Sequence, residues 1–527
     1  MKHSLLFFLF TLVCGGLSAQ LTNNGATIVI EQGATLTVEG ALTNSSGTIN
    51  NAGTLEVERN FTNNASLIAT GNQSVVAFIG SFNSNFNPNG APIRRLEVRK
   101  TNAQVDLTGD VTVTEELSFT GGNNTRLDIN NSDLFLGAAT TVTGGASNRF
   151  ISTTGTGFVE KALPASQFSL PLGSTTNKIL TMNVNGLLYV PGANIRVRHR
   201  EGPAPDLPAD ATDYLTYHNE IVASGIAAYS NAVRSNYGFS SVVGDITKVE
   251  GASYSSGQWS YDDADRQTSF FTGEVTGTIT AGTAFFTGTN FYGQVDPQVY
   301  LQGSYINGAN MMRTNLSDAG LIPLASPYSD APATAPSIPT GAVDWVKVEL
   351  RNAVFPATVE SVRSGFLMSD GSIVAPDGSS FLSFKDAPKS AFVAIYHRNH
   401  LPIRTSAVFT TDNAPFVDLT NGANVYSNPS VTGNAPTKAL SGGVAGMWSG
   451  DANGSGNVSY NGGGNDRTSI LLRVGFATSN NTTSGYFNED INLDGNTIYN
   501  GGGSDRTSVL LNVGFATPTK VIQSHID

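Results

Sequence analysis

The sequence predicts a mainly β chain in four parts: a parallel β-helix-like N-terminal region, two β-sandwich domains and a small α-helical C-terminal module. Three observations lead there. Short alternating segments punctuated by Gly and Asn recur from Gly25 onward, longer alternating strands replace them after Gly173, and a loop-helix unit near the C-terminus occurs twice. Composition agrees, because 57 glycines and a charged fraction of 13% suit a chain of many strands and turns. At 527 residues several domains are expected, and the boundaries read as 20–173, 174–292, 293–440 and 441–527 behind a leader at 1–19.

The leader is a signal peptide. Lys2 and His3 precede an apolar run from Leu5 to Val13, and Leu17-Ser18-Ala19 offers a small-residue cleavage site before Gln20. The run is far shorter than the roughly 20 residues that span a bilayer, and no later stretch qualifies, so no transmembrane segment is expected. A lipoprotein would need a small residue before Cys14, where Val13 stands. Cys14 is the only cysteine, so cleavage after Ala19 leaves a chain without disulfides, secreted or held at the outer cell surface. A net charge of −12 argues against nucleic acid and anionic membranes and is compatible with divalent cations.

The N-terminal repeat is Gly25-Ala-Thr-Ile-Val-Ile30, Gly33-Ala-Thr-Leu-Thr-Val38, Gly47-Thr-Ile-Asn50 and Gly53-Thr-Leu-Glu-Val57. Ile28 and Ile30, Leu36 and Val38, and Leu55 and Val57 fall on one face at period two. Strands this short bury a core only by stacking on one another, which predicts a right-handed parallel β-helix with Asn side-chain ladders at its corners. A sandwich of hairpins is the competing reading. The pattern runs on through Leu134-Phe-Leu136.

Beyond Gly173, Ile195-Arg-Val-Arg198, a Pro-rich bend at 202–208, Trp259 and the pairs Phe270-Phe271 and Phe285-Phe286 supply a first sandwich that ends near Phe291, with Pro297 marking a boundary. Tyr300 and Leu301 open a second, followed by strands at 343–350 and 362–368, a hairpin turn at Asp370-Gly371 leading to Ile373-Val374, and a strand at 392–396.

The tail carries the chemistry. Asp451-Ala-Asn453-Gly-Ser455-Gly456-Asn457 recurs as Asp490-Ile-Asn492-Leu-Asp494-Gly495-Asn496, and the register holds without a gap to Thr478 and Thr517. Oxygen side chains at positions 1, 3 and 5, with glycine at 6, are what a hard cation such as Ca2+ takes from a compact loop. Position 12, where a bidentate acid normally closes the shell, is Gly462 or Gly501; after an Asn-Gly-Gly-Gly insertion, Asp466 and Asp505 are the candidates to close it instead. The competing role for these two aspartates is plain N-caps of the following helices. Asp494 and its neighbour Glu489 add charge to the second loop, which is therefore expected to bind calcium more tightly.

The paired units resemble dockerin modules, which implies a small helical domain folded around tandem calcium loops and able to dock onto a cohesin-like partner. Ahead of them, Val299-Tyr-Leu-Gln-Gly, Met312-Arg313, Gly320-Leu-Ile-Pro323, Asp344-Trp-Val-Lys-Val-Glu-Leu350, His397-Arg-Asn-His-Leu401 and Met447-Trp-Ser-Gly-Asp451 resemble the haemagglutinin-like secreted surface proteins of gliding Gram-negative bacteria. The resemblance spans roughly 296–517 and implies location and architecture. Family members often carry a C-terminal sorting domain for gliding-type export, and none is read after Thr517.

Two other clusters invite a functional reading. His397 and His400 form an H-x-x-H pair, but residues three apart on a strand point to opposite faces, so a strand-end turn is expected. Asp262, Asp263 and Asp265 beside Tyr261 and Arg266 read as a solvated turn. A β-helix also houses polysaccharide-degrading enzymes, which need converging carboxylates; Glu56, Asp106, Asp110 and Asp128 are isolated in sequence. The expectation is a non-catalytic adhesion or scaffolding protein with a surface glycan or a cohesin-like protein as partner. A docking subunit and a β-helix enzyme are the alternatives.

Overall fold

A computed structural model describes residues 19–165, 167–262, 272–280, 282–379, 381–412 and 414–526. Residues 1–18 of the leader, Phe270-Phe271, Asp263, Asp265 and Arg266 lie outside these residues, and Asp262 is the one member of the acidic trio inside them. The chain divides into two compact units, Met1–Asn290 and Phe291–Asp527. The fold is mainly β, with a few small helices near the C-terminus. No described helix is long and apolar enough to cross a membrane.

The first unit opens with a β-solenoid of about seven turns. Each coil gives one strand to each of two sheets: Leu21–Ile30 stacks in parallel on Leu42–Asn51, while Thr35–Val38 stacks on Thr54–Val57. Parallel pairing rules out a sandwich of hairpins here. The period-two face points inward, and Leu55, Val57, Phe61 and Phe78 are fully buried. Phe86 stacks on Phe61 and meets Phe78 edge-on, with centroids 5.5 and 5.0 Å apart. Corner asparagines form a ladder in which Asn23 donates to Asn44 (2.8 Å), Asn44 to Asn63 (2.7 Å) and Asn63 to the Pro88 carbonyl (2.9 Å). The ladder satisfies buried amides coil by coil, as buried polar groups require.

Both solenoid sheets continue without a break into antiparallel strands. Val159–Ala162 pairs with Leu188–Glu201, and Phe168–Gly173 with Asn177–Asn185. The core continues too, through Leu180, Val197, Tyr217, Val275 and Phe286. Trp259 is buried as expected of core material, in a smaller cluster with Ala204 and Ala252, and it donates to the Asp206 carbonyl (3.1 Å), so it also pins the Pro-rich bend.

The second unit is built on an antiparallel sheet whose long central strand, Ala342–Asn352, lies between Val359–Met368 and Ser390–His397. The Asp370-Gly371 turn forms as predicted, with Gly371 at φ 89° and Phe366 opposite Val374. Pro297 sits inside strand Tyr292–Gln298, and Tyr300-Leu301 lie past that strand, Leu301 making a single bridge to Met447. Trp345 and Phe366 are fully buried, with ring centroids 3.9 Å apart.

Candidate metal centre

The tail repeats in space as it does in sequence. Helices Asp466–Val474 and Asp505–Val513 each follow an oxygen-rich loop and a three-residue strand, Asn457–Ser459 or Asn496–Ile498. Ile470, Val474, Val509 and Val513 close a small core with Val458, Ile491 and Ile522, and Leu401 of the neighbouring sheet enters it.

The two loops share one hydrogen-bond pattern. Asp451 accepts from the N–H groups of Ser455 and Gly456, both at 2.8 Å; Asp490 accepts from those of Asp494 (3.1 Å) and Gly495 (2.9 Å). Asn453 and Asn492 accept from the same position-5 N–H groups at 3.0 Å. The sixth residue must then turn with positive φ, and Gly456 and Gly495 do so at 77° and 88°.

Asp466 and Asp505 are not the N-caps. Asn465 caps the first helix by accepting from Thr468 N–H (2.9 Å), and Ser504 caps the second through Thr507 N–H (3.4 Å). The aspartates occupy the first helical position, are fully buried and turn back into their loops. Asp466 accepts from the N–H groups of Asn453 (3.3 Å) and Ser459 (2.7 Å), Asp505 from those of Ile491 and Ile498, both at 2.7 Å. The glycine insertion permits this return: Gly462 and Gly464, like Gly501 and Gly503, have positive φ. Arg467 and Arg506 leave their adjacent aspartates and lie over Tyr460 and Tyr499, 4.8 and 4.7 Å from the ring centroids.

Burial therefore falls on carboxylates with little compensation. Desolvation, with repulsion from Asp451, pushes Asp466 up to about 7; desolvation, with repulsion from Asp490 and Asp494, pushes Asp505 up to about 8. Asp490 rises to about 6 through burial, held back by the positive charge of Arg398, and Asp451 rises through burial as well.

The other predicted ligands are less converged. Ser455 is exposed, and its hydroxyl donates to the Asn457 carbonyl (3.3 Å), so Asn457 turns its main-chain oxygen to the loop. Asn496 accepts instead from Ser484 Oγ (2.6 Å). Glu489 adds no free charge to the second loop, because it pairs with Arg473 of the first helix (3.0 Å). Among the described residues no group of three or more His, Cys, Asp or Glu is arranged to hold a metal ion. The donors that accompany the carboxylates are amide, hydroxyl and carbonyl oxygens, the hard set that calcium takes.

His397 and His400 do form a hairpin turn, yet their rings converge, with Nδ1 atoms 3.0 Å apart, because the two strands pair His397 with His400 directly. Opposite-face alternation fails at a hairpin end. They belong to a buried network that sequence reasoning missed. Asp344 accepts from His397 Nε2 (3.0 Å), Arg398 Nε (2.9 Å), Tyr486 OH (2.6 Å) and Trp345 N–H (2.8 Å). Burial opposes ionisation of Asp344, but the Arg398 charge and these hydrogen bonds hold its carboxyl well below the usual carboxylate range. Burial lowers His397, and lowers His400 further still with help from its charged neighbours. Arg398 also donates to the Phe487 carbonyl, and Asn399 to that of Asp490 (2.6 Å), so this network grips the entry to the second loop.

Of the solenoid acids, Asp106 and Asp128 stand side by side in register. Each is engaged locally, Asp106 with Gln104 (2.7 Å) and Asp128 with Ser152 (3.1 Å). Glu56 pairs with Arg99 (2.8 Å) on the other sheet, and Asp110 accepts from Asp133 N–H (2.9 Å). No family model matches the chain, and no curated protein or solved structure is similar to it.

Proposed function

We propose that this is a secreted or cell-surface adhesion or scaffolding protein without catalytic activity, in which two C-terminal dockerin-like loops bind calcium and rigidify the tail. Asp451, Asn453, Ser455, Asn457 and Asp466 would hold one ion, and Asp490, Asn492, Asp494, Asn496 and Asp505 the other. The observation that carries this reading is the inward turn of Asp466 and Asp505, buried without a basic partner among the described residues while other side chains cap their helices. Bound calcium would supply the missing positive charge, and its binding free energy would add to the stability of the tail.

Because the second loop is held by Asn399 and Arg398, the test belongs on the intact chain. Calcium is expected to raise the melting temperature of the second unit over that in chelator. Asp490→Ala should remove most of the increment and Asp451→Ala less. A melting temperature indifferent to calcium sinks the proposal.

A second reading makes the module a docking plug for a cohesin-like partner. It is favoured by Leu472, Phe476, Leu511 and Phe515, which occupy equivalent positions of the two repeats and are all more than half exposed. A tail with only a structural role would bury Leu471, Leu472, Leu510 and Leu511 against the adjoining sheet; of these only Leu510 packs partly onto the module core. Leu472→Asp with Leu511→Asp should leave the calcium-dependent melt intact and abolish association with a cohesin-like protein if docking is the role.

A further inference from the structure

Lys161 lies on strand Val159–Ala162 of the solenoid and is 2% exposed. Its ammonium donates to the carbonyls of Gly137 (2.8 Å) and Thr140 (2.5 Å). Two other buried lysines of the first unit do comparable work. Lys100 donates to the Ile79 carbonyl (2.7 Å) and Lys178 to Ser241 Oγ (2.6 Å). Each of those has a carboxylate acting on its charge, Glu58 for Lys100 and Glu201 for Lys178. Lys161 has no such partner among the described residues, and burial alone acts on it, pushing it down to about 8. A buried ammonium without a counter-charge is costly, and an anion that reaches it recovers part of that cost.

Lys161 lines an open cleft of about 490 Å³, a size that suits a small ligand. An ammonium has three N–H groups, and two are committed to carbonyls, so one is left for a ligand. Phe168, its ring centroid 5.7 Å from Nζ, forms a half-buried wall, and Thr141, Gln167, Ser169 and Thr181 form a polar rim. The rim hydroxyls of Ser169 and Thr181 are themselves 2.8 Å apart, a pair able to meet vicinal hydroxyls.

We propose that this cleft binds a carboxylate-bearing sugar, a uronic acid unit of an acidic polysaccharide, with the carboxylate on Lys161 and the ring hydroxyls on the rim. A rim of hydroxyls and an amide beside an apolar ring favours a sugar over a peptide carboxylate. The cleft lies in the first unit, so the inference stands whether or not the tail binds calcium.

The test is calorimetric titration of the full chain, in chelator, with trigalacturonate, its methyl ester and a short peptide with a free C-terminal carboxylate. The acid should bind at least tenfold more tightly than the ester, and Lys161→Met should remove that preference. If Lys161→Met fails to fold, the acid-against-ester comparison on the unaltered chain still decides. Equal binding of acid and ester, no binding of either, or binding of the peptide alone overturns the proposal.

Discussion

The two tail repeats are matched residue for residue through most of their length, yet they sit in different surroundings. In the first loop, Asn453, Gly454 and Ser455 are exposed, and a Cβ at Gly456 would meet nothing within 4 Å. In the second, Gly495 is buried and a Cβ there would lie 2.8 Å from Leu321. The same contrast holds at the helices. Asn512 donates to the Ser449 carbonyl (2.7 Å) and accepts from Gln302 (2.7 Å), whereas its counterpart Arg473 pairs with Glu489 and lies over the Phe487 ring, 4.3 Å from its centroid. Gly303 closes on the second repeat so tightly that a Cβ would come within 2.2 Å of the Ile491 carbonyl. Duplication thus preserved the loop chemistry while the surroundings diverged: the Asn399 carbonyl accepts from the Gly450 and Asp451 N–H groups at the entry to the first loop (3.1 and 3.2 Å), but the second repeat is the more deeply enclosed by side chains of the sheet and its loops.

The largest effect should come from breaking the buried network that grips the second loop. Asp344→Ala leaves Arg398 and His397 buried without their shared acceptor and frees Tyr486, and such losses cost about 3–5 kcal/mol. At about 2–4 °C per kcal/mol for a unit of this size, the melting temperature of the second unit should fall by about 6–20 °C. The corresponding change at the first repeat, Arg473→Ala, breaks a partly exposed ion pair and should cost no more than about 1 kcal/mol. Equal losses in a thermal melt would mean that the two repeats are anchored alike.

Acidity provides a second, smaller contrast, between the two tail loops and the histidine network. An aspartate has a pKa of about 3.9 in an unfolded chain. Asp466 and Asp505 stand at about 7 and about 8, so without metal the folded state holds more protons than the unfolded state between these limits. Stability must then fall as pH rises through that window. In chelator the second unit should melt at a higher temperature at pH 7 than at pH 8.5. Calcium should remove or reverse the slope, since it needs the ionised carboxylates that protons occupy. Below about 6.5 His397 and His400 oppose this trend and flatten the slope, because their folded pKa values lie below that of an unfolded histidine and the unfolded state takes up those protons. A metal-free melting temperature that rises steadily from pH 7 to 8.5 contradicts the burial of these carboxylates.

What was legible in the sequence was whatever repeats. The solenoid coils declared themselves through period-two faces such as Leu55 and Val57, and the tail through its second copy. Contacts between distant segments were not legible. Nothing local to Asp344 shows that Tyr486 will find it, and strand alternation separates His397 from His400 where the hairpin joins them. Which residue caps each helix was not legible either, because Asn465 and Asp466 are both competent caps and only the backbone decides which side chain turns inward. Trp259 is core material as its residue type suggests, but that its cluster also holds the Pro-rich bend at Asp206 is a contact between distant segments. Lys161 carried no signal at all, since its isolation from carboxylates is a property of the folded cleft.

The finest contrast between the repeats is position 5, where Ser455 stands opposite Asp494. If both loops bind calcium as proposed and ligand charge sets their relative affinity, Ser455→Asp should convert the first loop toward the second. The new carboxylate would stand beside Asp451, on which Ser455 already rests through its N–H, so with calcium it adds attraction and without it adds repulsion. The substitution should therefore tighten the weaker site by about tenfold, close to 1.4 kcal/mol, while lowering the melting temperature slightly in chelator. The two readouts must move in opposite directions. If calorimetry finds the affinity unchanged, the hold of the Arg398 and Asn399 side chains on the second loop, rather than charge, would set any difference between the sites, and Asp494→Ser should then be equally silent.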